Sequence, residues 1–173
     1  MRGSNSGRRR VKFIADAMLG KLVRWLRMLG EDVTYSNRFE DAELIAVAEK
    51  EHRVLLTRDS ELHKRATSKG VAAFYVEGLT EAEKLAELAG RFGFTLAIDL
   101  KRSRCPRCNA EIQVTPKQKL AGKVEKTTLI YYNEFWKCSK CGRIYWQGAH
   151  WRGIRATLEE AKKIKGQQQL KFI

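Results

Sequence analysis

Two Cys-x-x-Cys pairs, Cys105-Pro-Arg-Cys108 and Cys138-Ser-Lys-Cys141, constrain this chain more than any other feature. Zinc takes four ligands in a tetrahedron, and sites made of four cysteines are closed and structural. Each short turn presents two thiolates on one side, and Gly142 relaxes the second turn. The residues between the pairs are too poor in aliphatic side chains to build their own core, so a metal staple is expected. Two alternatives stand beside zinc. A redox pair at Cys105 and Cys108 would open a helix after a strand and would leave the second pair unexplained. The other alternative is an iron–sulfur cluster. His150 is a spare donor outside a shell that four thiolates already fill, so it is expected to be a surface or nucleic-acid contact. The N-terminus carries charge but no apolar signal core, so disulfides are not expected and a cytoplasmic location is. No apolar run approaches the roughly 20 residues that span a bilayer.

The cysteine segment also holds the charge. The chain has 173 residues and a formal net charge of +14. Residues 1–100 are nearly balanced, with 17 Lys/Arg against 15 Asp/Glu. Residues 101–155 carry 13 Lys/Arg against only Glu111, Glu125 and Glu134. Such a field attracts polyanions, nucleic acid above all. Tyr131, Tyr132, Phe135, Trp136, Tyr145, Trp146 and Trp151 lie among these cations. Basic side chains bind phosphates while aromatic rings stack bases. Some of the rings must instead form the small core.

The first hundred residues alternate strand and helix. Val11 to Ala15, Val33 to Tyr35, Arg53 to Thr57 and Val71 to Val76 read as short buried strands. Leu19, Leu22, Val23, Leu26 and Leu29 make one helical face, closed by Gly30. A second helix begins at or is capped by Asp41. A third runs from Ser60 to Ser68, and a fourth from Thr80 to Gly90 with a Thr80/Glu83 capping box. This alternation implies an α/β fold with a mainly parallel sheet covered by helices. Beyond the cysteines, Thr127 to Tyr132 and Arg143 to Trp146 read as β-like. Leu158 to Lys165 reads as a short basic helix. The expected division is a flexible basic leader over 1–10, the α/β domain over 11–100, a zinc ribbon over 101–155 and a basic helical tail over 156–173.

Asp16 and Asp59 fall just past the C-terminal ends of parallel strands, where open α/β sheets bind ligands. Asp41, at a helix start, can face the same crevice. Converging carboxylates repel unless a divalent cation joins them, and oxygen ligands suit Mg²⁺ or Mn²⁺. Aspartates at such positions also serve simply as caps that accept backbone N–H groups. Glu40, Glu43 and Glu61 can supplement the cluster. Thr57 is either a plain strand end or an anchor for Asp59 or a water. Lys21 and Arg24, three apart on the first helix, either contact a phosphate or pair with Asp41 or Glu43.

The segments Phe13-Ile-Ala-Asp-Ala-Met-Leu-Gly-Lys-Leu-Val-Arg-Trp-Leu-Arg-Met-Leu-Gly30, Asp41-Ala-Glu-Leu-Ile-Ala46 and Val54-Leu-Leu-Thr-Arg-Asp-Ser-Glu-Leu62 resemble the Mut-seven C-terminal RNase family. So do Cys105-Pro-Arg-Cys108, Phe135-Trp-Lys-Cys-Ser-Lys-Cys-Gly-Arg-Ile-Tyr-Trp146 and His150-Trp151. The resemblance runs over about residues 11–151. It implies a PIN-like nuclease domain over 11–100, followed by a zinc ribbon. It implies a metal-dependent ribonuclease in which Asp16, Asp41 and Asp59 hold Mg²⁺ or Mn²⁺. Glu61 is the nearest candidate for a further acid, and Lys21 steadies charge on the phosphate. One structural Zn²⁺ would sit on Cys105, Cys108, Cys138 and Cys141. RNA would meet Arg24, Arg102, Arg104, Arg107, Lys137, Lys140, Arg143 and Trp146. The alternative is a nucleic-acid-binding or adaptor protein whose acidic site is inactive.

Overall fold

The computed structural model describes residues 10–170. All of the expected leader except Arg10, and residues 171–173 of the expected tail, lie outside the described residues.

Strands β1 (Lys12–Ala15), β2 (Asp32–Tyr35), β3 (Val54–Thr57) and β4 (Ala73–Tyr75) form one sheet in the order β2-β1-β3-β4, parallel throughout. Side chains alternate across it, as the two-residue period of a strand demands. Phe13 and Ala15, with Val33 and Leu56, face one layer, while Ile14 and Leu55 face the other. The first layer holds α1 (Gly20–Met28) and α4 (Glu81–Phe92). The second holds α2 (Asp41–Glu51) and α3 (Ser60–Ser68), through Leu44, Ile45, Leu62 and Ala66. Each fully buried Leu or Phe contributes about 1.5–3 kcal/mol. The two apolar layers are therefore what hold the sheet against its helices.

Local rules set the helix ends. Asp41 begins α2, whose cap is Glu40 in a capping box with Glu43. Thr80 caps α4 and Glu83 closes the expected box. Gly30, at φ +93°, turns the chain out of α1 into β2, and a Cβ there would stand 2.9 Å from the Arg102 carbonyl oxygen.

The cysteine segment forms a three-stranded antiparallel sheet, β5 (Ile112–Val114), β6 (Trp136–Cys138) and β7 (Ile144–Tyr145), in the order β5-β6-β7. One expectation fails here. Thr127 to Tyr132 is not β-like, because α5 spans Lys126–Tyr131. Its Thr, Ile and Tyr content favours strands. The segment nonetheless pairs with neither outer strand of the ribbon sheet, β5 or β7. A helix satisfies its own backbone, as in Leu129 N–H to Glu125 O at 3.1 Å. Finally, α6 runs over Trp151–Leu170, far longer than the short helix expected. It packs on α4, burying Leu158 and Ala161 in the first layer. After the ribbon, the chain thus returns to the α/β core. No helix among the described residues is long and apolar enough to cross a membrane.

Candidate active site and metal centre

β1 feeds a helix on one face of the sheet and β3 feeds a helix on the other. Between their C-terminal ends opens the crevice that such sheets use for ligands. Asp16 follows β1 and is 5% exposed. Its Oδ1 accepts from Met18 N–H at 2.8 Å, capping a 3-10 turn over Ala17–Leu19. Its Oδ2 accepts from the Thr57 hydroxyl and from Arg58 N–H. Thr57 is fully buried at the end of β3. Its hydroxyl oxygen accepts from Asp59 N–H at 2.9 Å. Asp59 Oδ1 then caps α3, accepting from Glu61 N–H at 2.8 Å and Leu62 N–H at 3.0 Å. Thr57 is therefore the anchor that ties the two aspartates together. Asp59 Oδ2 accepts no hydrogen bond among the described residues, and Asp16 meets only neutral donors.

Asp41 stands at the rim, ion-paired with Arg65 of α3, and both are about half-exposed. Glu61 is exposed and paired with Lys64 at 2.9 Å. The geometry thus joins Asp16 and Asp59 and leaves Asp41 and Glu61 on cations. Among the described residues no three carboxylates draw their oxygens together. Mg²⁺ is commonly held by one or two carboxylates plus substrate phosphates, and Asp16 and Asp59 are the two aspartates that Thr57 links here. Lys21 and Arg24 are exposed on α1 and have no carboxylate partner among the described residues. Their alternative partners are taken: Asp41 by Arg65, and Glu43 by the Glu40 N–H at 2.9 Å.

The four cysteines do converge, with their Sγ atoms all within 4.8 Å of one another, and His150 is not among them. Cys105 and Cys141 lie 3.7 Å apart and Cys108 and Cys138 lie 3.4 Å apart. Zn–S bonds of about 2.3 Å in a tetrahedron require edges of about 3.8 Å, so the site fits one zinc ion. Each knuckle ends in a left-handed residue, Asn109 at φ 68° after Cys108 and Gly142 at φ 71° after Cys141. Burial pushes the Cys108 thiol up to about 12, and the neighbouring thiols add to it. Burial also raises Cys138, but N–H groups of Cys141 and Lys140 outweigh it and bring that thiol down to about 6. The Tyr145 hydroxyl lies 3.0 Å from Cys105 Sγ, the kind of outer contact that orients a metal ligand.

Sequence reasoning missed how the ribbon is attached. Arg27, on α1, is 4% exposed. Its guanidinium donates to Val33 O at 3.1 and 2.7 Å, and to Pro106 O and Arg107 O at 3.1 Å each. Asn109 donates to Asp32 at 2.8 Å and accepts from Val33 N–H at 3.1 Å. Arg53 completes the network, bonding Asp32 at 2.9 Å and Phe13 O at 3.2 Å. Burial pushes the Asp32 carboxyl up, but hydrogen bonds from Arg53 and Asn109 outweigh it and hold it below its ordinary value. The first knuckle therefore sits at the N-terminal edge of the sheet. Four residues of β1 separate that edge from Asp16, about 13 Å at 3.3 Å per residue. The one available signal was Asn109, which stands after its knuckle as Gly142 does after the other.

Of the expected RNA contacts, Arg104 donates to Asn109 O at 2.9 Å inside its own knuckle. Arg102, Arg107, Lys140 and Arg143 are exposed, and Lys137 and Trp146 half-buried. No curated protein and no solved structure matches the chain. A family model described as the Mut7-C RNAse domain matches residues 11–158, which takes in the α/β sheet, the ribbon and the start of α6. With a match over most of its length, the chain belongs to the Mut7-C RNase domain family.

Proposed function

We propose that this protein is a ribonuclease dependent on Mg²⁺ or Mn²⁺, with RNA gripped by a zinc-stapled basic ribbon. The observation that carries the reading is the Asp16–Thr57–Asp59 relay at the sheet crevice, in a chain of an RNase family. When bound, the divalent ion supplies Lewis acidity toward water and the scissile phosphate. Asp16 and Asp59 hold it: the buried Thr57 hydroxyl fixes the Asp16 carboxylate and the Asp59 backbone, while the Glu61 and Leu62 N–H groups fix the Asp59 carboxylate. Lys21 and Arg24, without carboxylate partners among the described residues, bind the phosphate and stabilise charge that develops on it. Asp41 and Glu61 join the site when Arg65 and Lys64 release them. Zn²⁺ on the four cysteines keeps the ribbon's cations in place.

A second reading has its own support: with Arg65 holding Asp41, the acidic site is inactive and the protein is a nucleic-acid-binding or adaptor module. An RNA cleavage assay with Mn²⁺ separates the two. Wild type is expected to cut, and Asp16→Asn and Asp59→Asn to lose cutting while still binding RNA. Binding without metal-dependent cutting by wild type would sink the nuclease reading. Cutting that survives both substitutions would place the chemistry elsewhere.

A further inference from the structure

The ribbon sheet has two faces. Trp136 and Cys138 of β6 point to the buried side, while Lys137 points to the other. The register places Gln113, Lys137 and Ile144 in one row across β5, β6 and β7 on that outer face. Facing the row, residues 123–128 form a second wall. Between the walls lies an open cleft of about 840 Å³. Its lining includes Lys123, Lys137, Arg143 and Trp146, with Glu125 the only carboxylate and Thr128 a neutral donor. Trp146 is braced against the fully buried Phe135, with ring centroids 6.3 Å apart.

We infer that this cleft is a binding site for unpaired RNA, with Trp146 as the stacking platform and Lys123, Lys137 and Arg143 as the phosphate contacts. The inference rests on RNA being the substrate class and specifies which form of it the ribbon takes. Three cations against one anion favour a polyanion. A braced half-buried ring beside them suits a base whose face is free. The volume falls in the range of pockets that hold a drug-sized ligand, which matches about one or two nucleotides. Duplex RNA is read differently, across its shallow minor groove over about 16 base pairs, and has no free base face to offer. A path of this kind also fits the layout of the molecule, because an unpaired strand can bend from the ribbon to a crevice at the other sheet edge.

The test uses the full zinc-loaded chain without added Mg²⁺ or Mn²⁺. Fluorescence anisotropy is read with labelled oligouridylate and with a blunt RNA duplex. The single strand is expected to bind at least about 10-fold tighter. Trp146→Ala is expected to weaken it about 5- to 100-fold, and Trp146→Phe much less. Lys123→Glu and Arg143→Glu, both at exposed positions, are expected to weaken it and to flatten the salt slope by about 0.7 for each phosphate no longer neutralised. Zinc content and melting temperature establish that each variant is folded. Equal affinity for the duplex, unchanged binding by the two charge reversals, or full competition by polyglutamate would each overturn the cleft. No cutting is read here, so this failure and failure of the nuclease reading are seen separately.

Discussion

The two edges of the parallel sheet bury similar polar residues and treat them in opposite ways. At the N-terminal edge Asp32 meets Arg53 at 2.9 Å and Asn109 at 2.8 Å, while Arg27 fills three carbonyls of β2 and the first knuckle. Asp32, Arg53 and Arg27 there each have charged or strongly bonded partners. At the C-terminal edge Asp16 is more deeply buried than Asp32, yet it meets only two backbone N–H groups and one hydroxyl. A buried carboxylate without a cation is costly. The first edge is closed, so it serves assembly. The second leaves Asp16 without a cationic partner among the described residues, which is the opening that the proposed metal site would use.

The largest expected effect tests the open edge. Asp16→Asn keeps the size of the side chain but removes its charge and one of its two acceptor oxygens. Mn²⁺-dependent cleavage is expected to fall by more than about 100-fold, beyond what loss of an outer-shell partner costs. The melting temperature is expected to stay within about 2–4 °C, the shift that 1 kcal/mol produces at this size. A large melting loss with intact cleavage would reverse the roles of the two edges.

Next comes the closed edge. Arg27→Ala strands Val33 O, Pro106 O and Arg107 O and opens a cavity. About 3 kcal/mol of destabilisation is expected, a drop of about 6–12 °C. Zinc is expected to remain bound, and cleavage per folded molecule to persist. Arg27→Lys is expected to recover only a small part, since one ammonium cannot span carbonyls on two elements. A wild-type melting curve for Arg27→Ala would break the idea that this side chain docks the ribbon.

The two edges were also unequally visible in the amino-acid pattern. Asp16, Thr57 and Asp59 sit at or just past the ends of short apolar strand runs, so reading those runs finds them. The limits of α3 and the Thr80/Glu83 box follow from local capping chemistry and were found the same way. Arg27 was not found because its partners Pro106 and Arg107 lie 79 and 80 positions away, and a helix arginine reads locally as surface. Likewise α5 carries strand-like residues but closes its own backbone hydrogen bonds as a helix instead of joining the ribbon sheet. The length of α6 depends on α4, whose packing surface no local pattern reveals. That the carboxylates of Asp41 and Glu61 sit on Arg65 and Lys64 is also a matter of side-chain partners, beyond the reach of spacing.

A smaller effect is expected at the rim of the open edge. Arg65→Ala releases Asp41. The pair is exposed, so its worth is about 0.2–1 kcal/mol, and the Mn²⁺ concentration for half-maximal cleavage is expected to fall about 1.5- to 5-fold. Asp41→Asn is expected to move it the other way. If neither substitution moves it, Asp41 is a helix-start residue and nothing more, and the open edge reduces to Asp16 and Asp59.

The smallest effect belongs to Asp32 and is a matter of sign. Its folded pKa lies below the ordinary 3.8, because Arg53 and Asn109 favour the charged form over the opposing burial. A depressed carboxyl contributes stability that is present above the unfolded pKa and is lost as pH falls through the folded one. Wild type is therefore expected to lose this contribution only below about pH 4, and Asp32→Asn to lack it at every pH. Denaturant midpoints of the two proteins should converge as pH falls from about 5 toward the acid limit. Parallel curves would mean that the Asp32 charge adds nothing to the closed edge. The docking would then rest on Arg27 and its carbonyls alone, which carry no group that titrates in acid and should hold the ribbon equally well there.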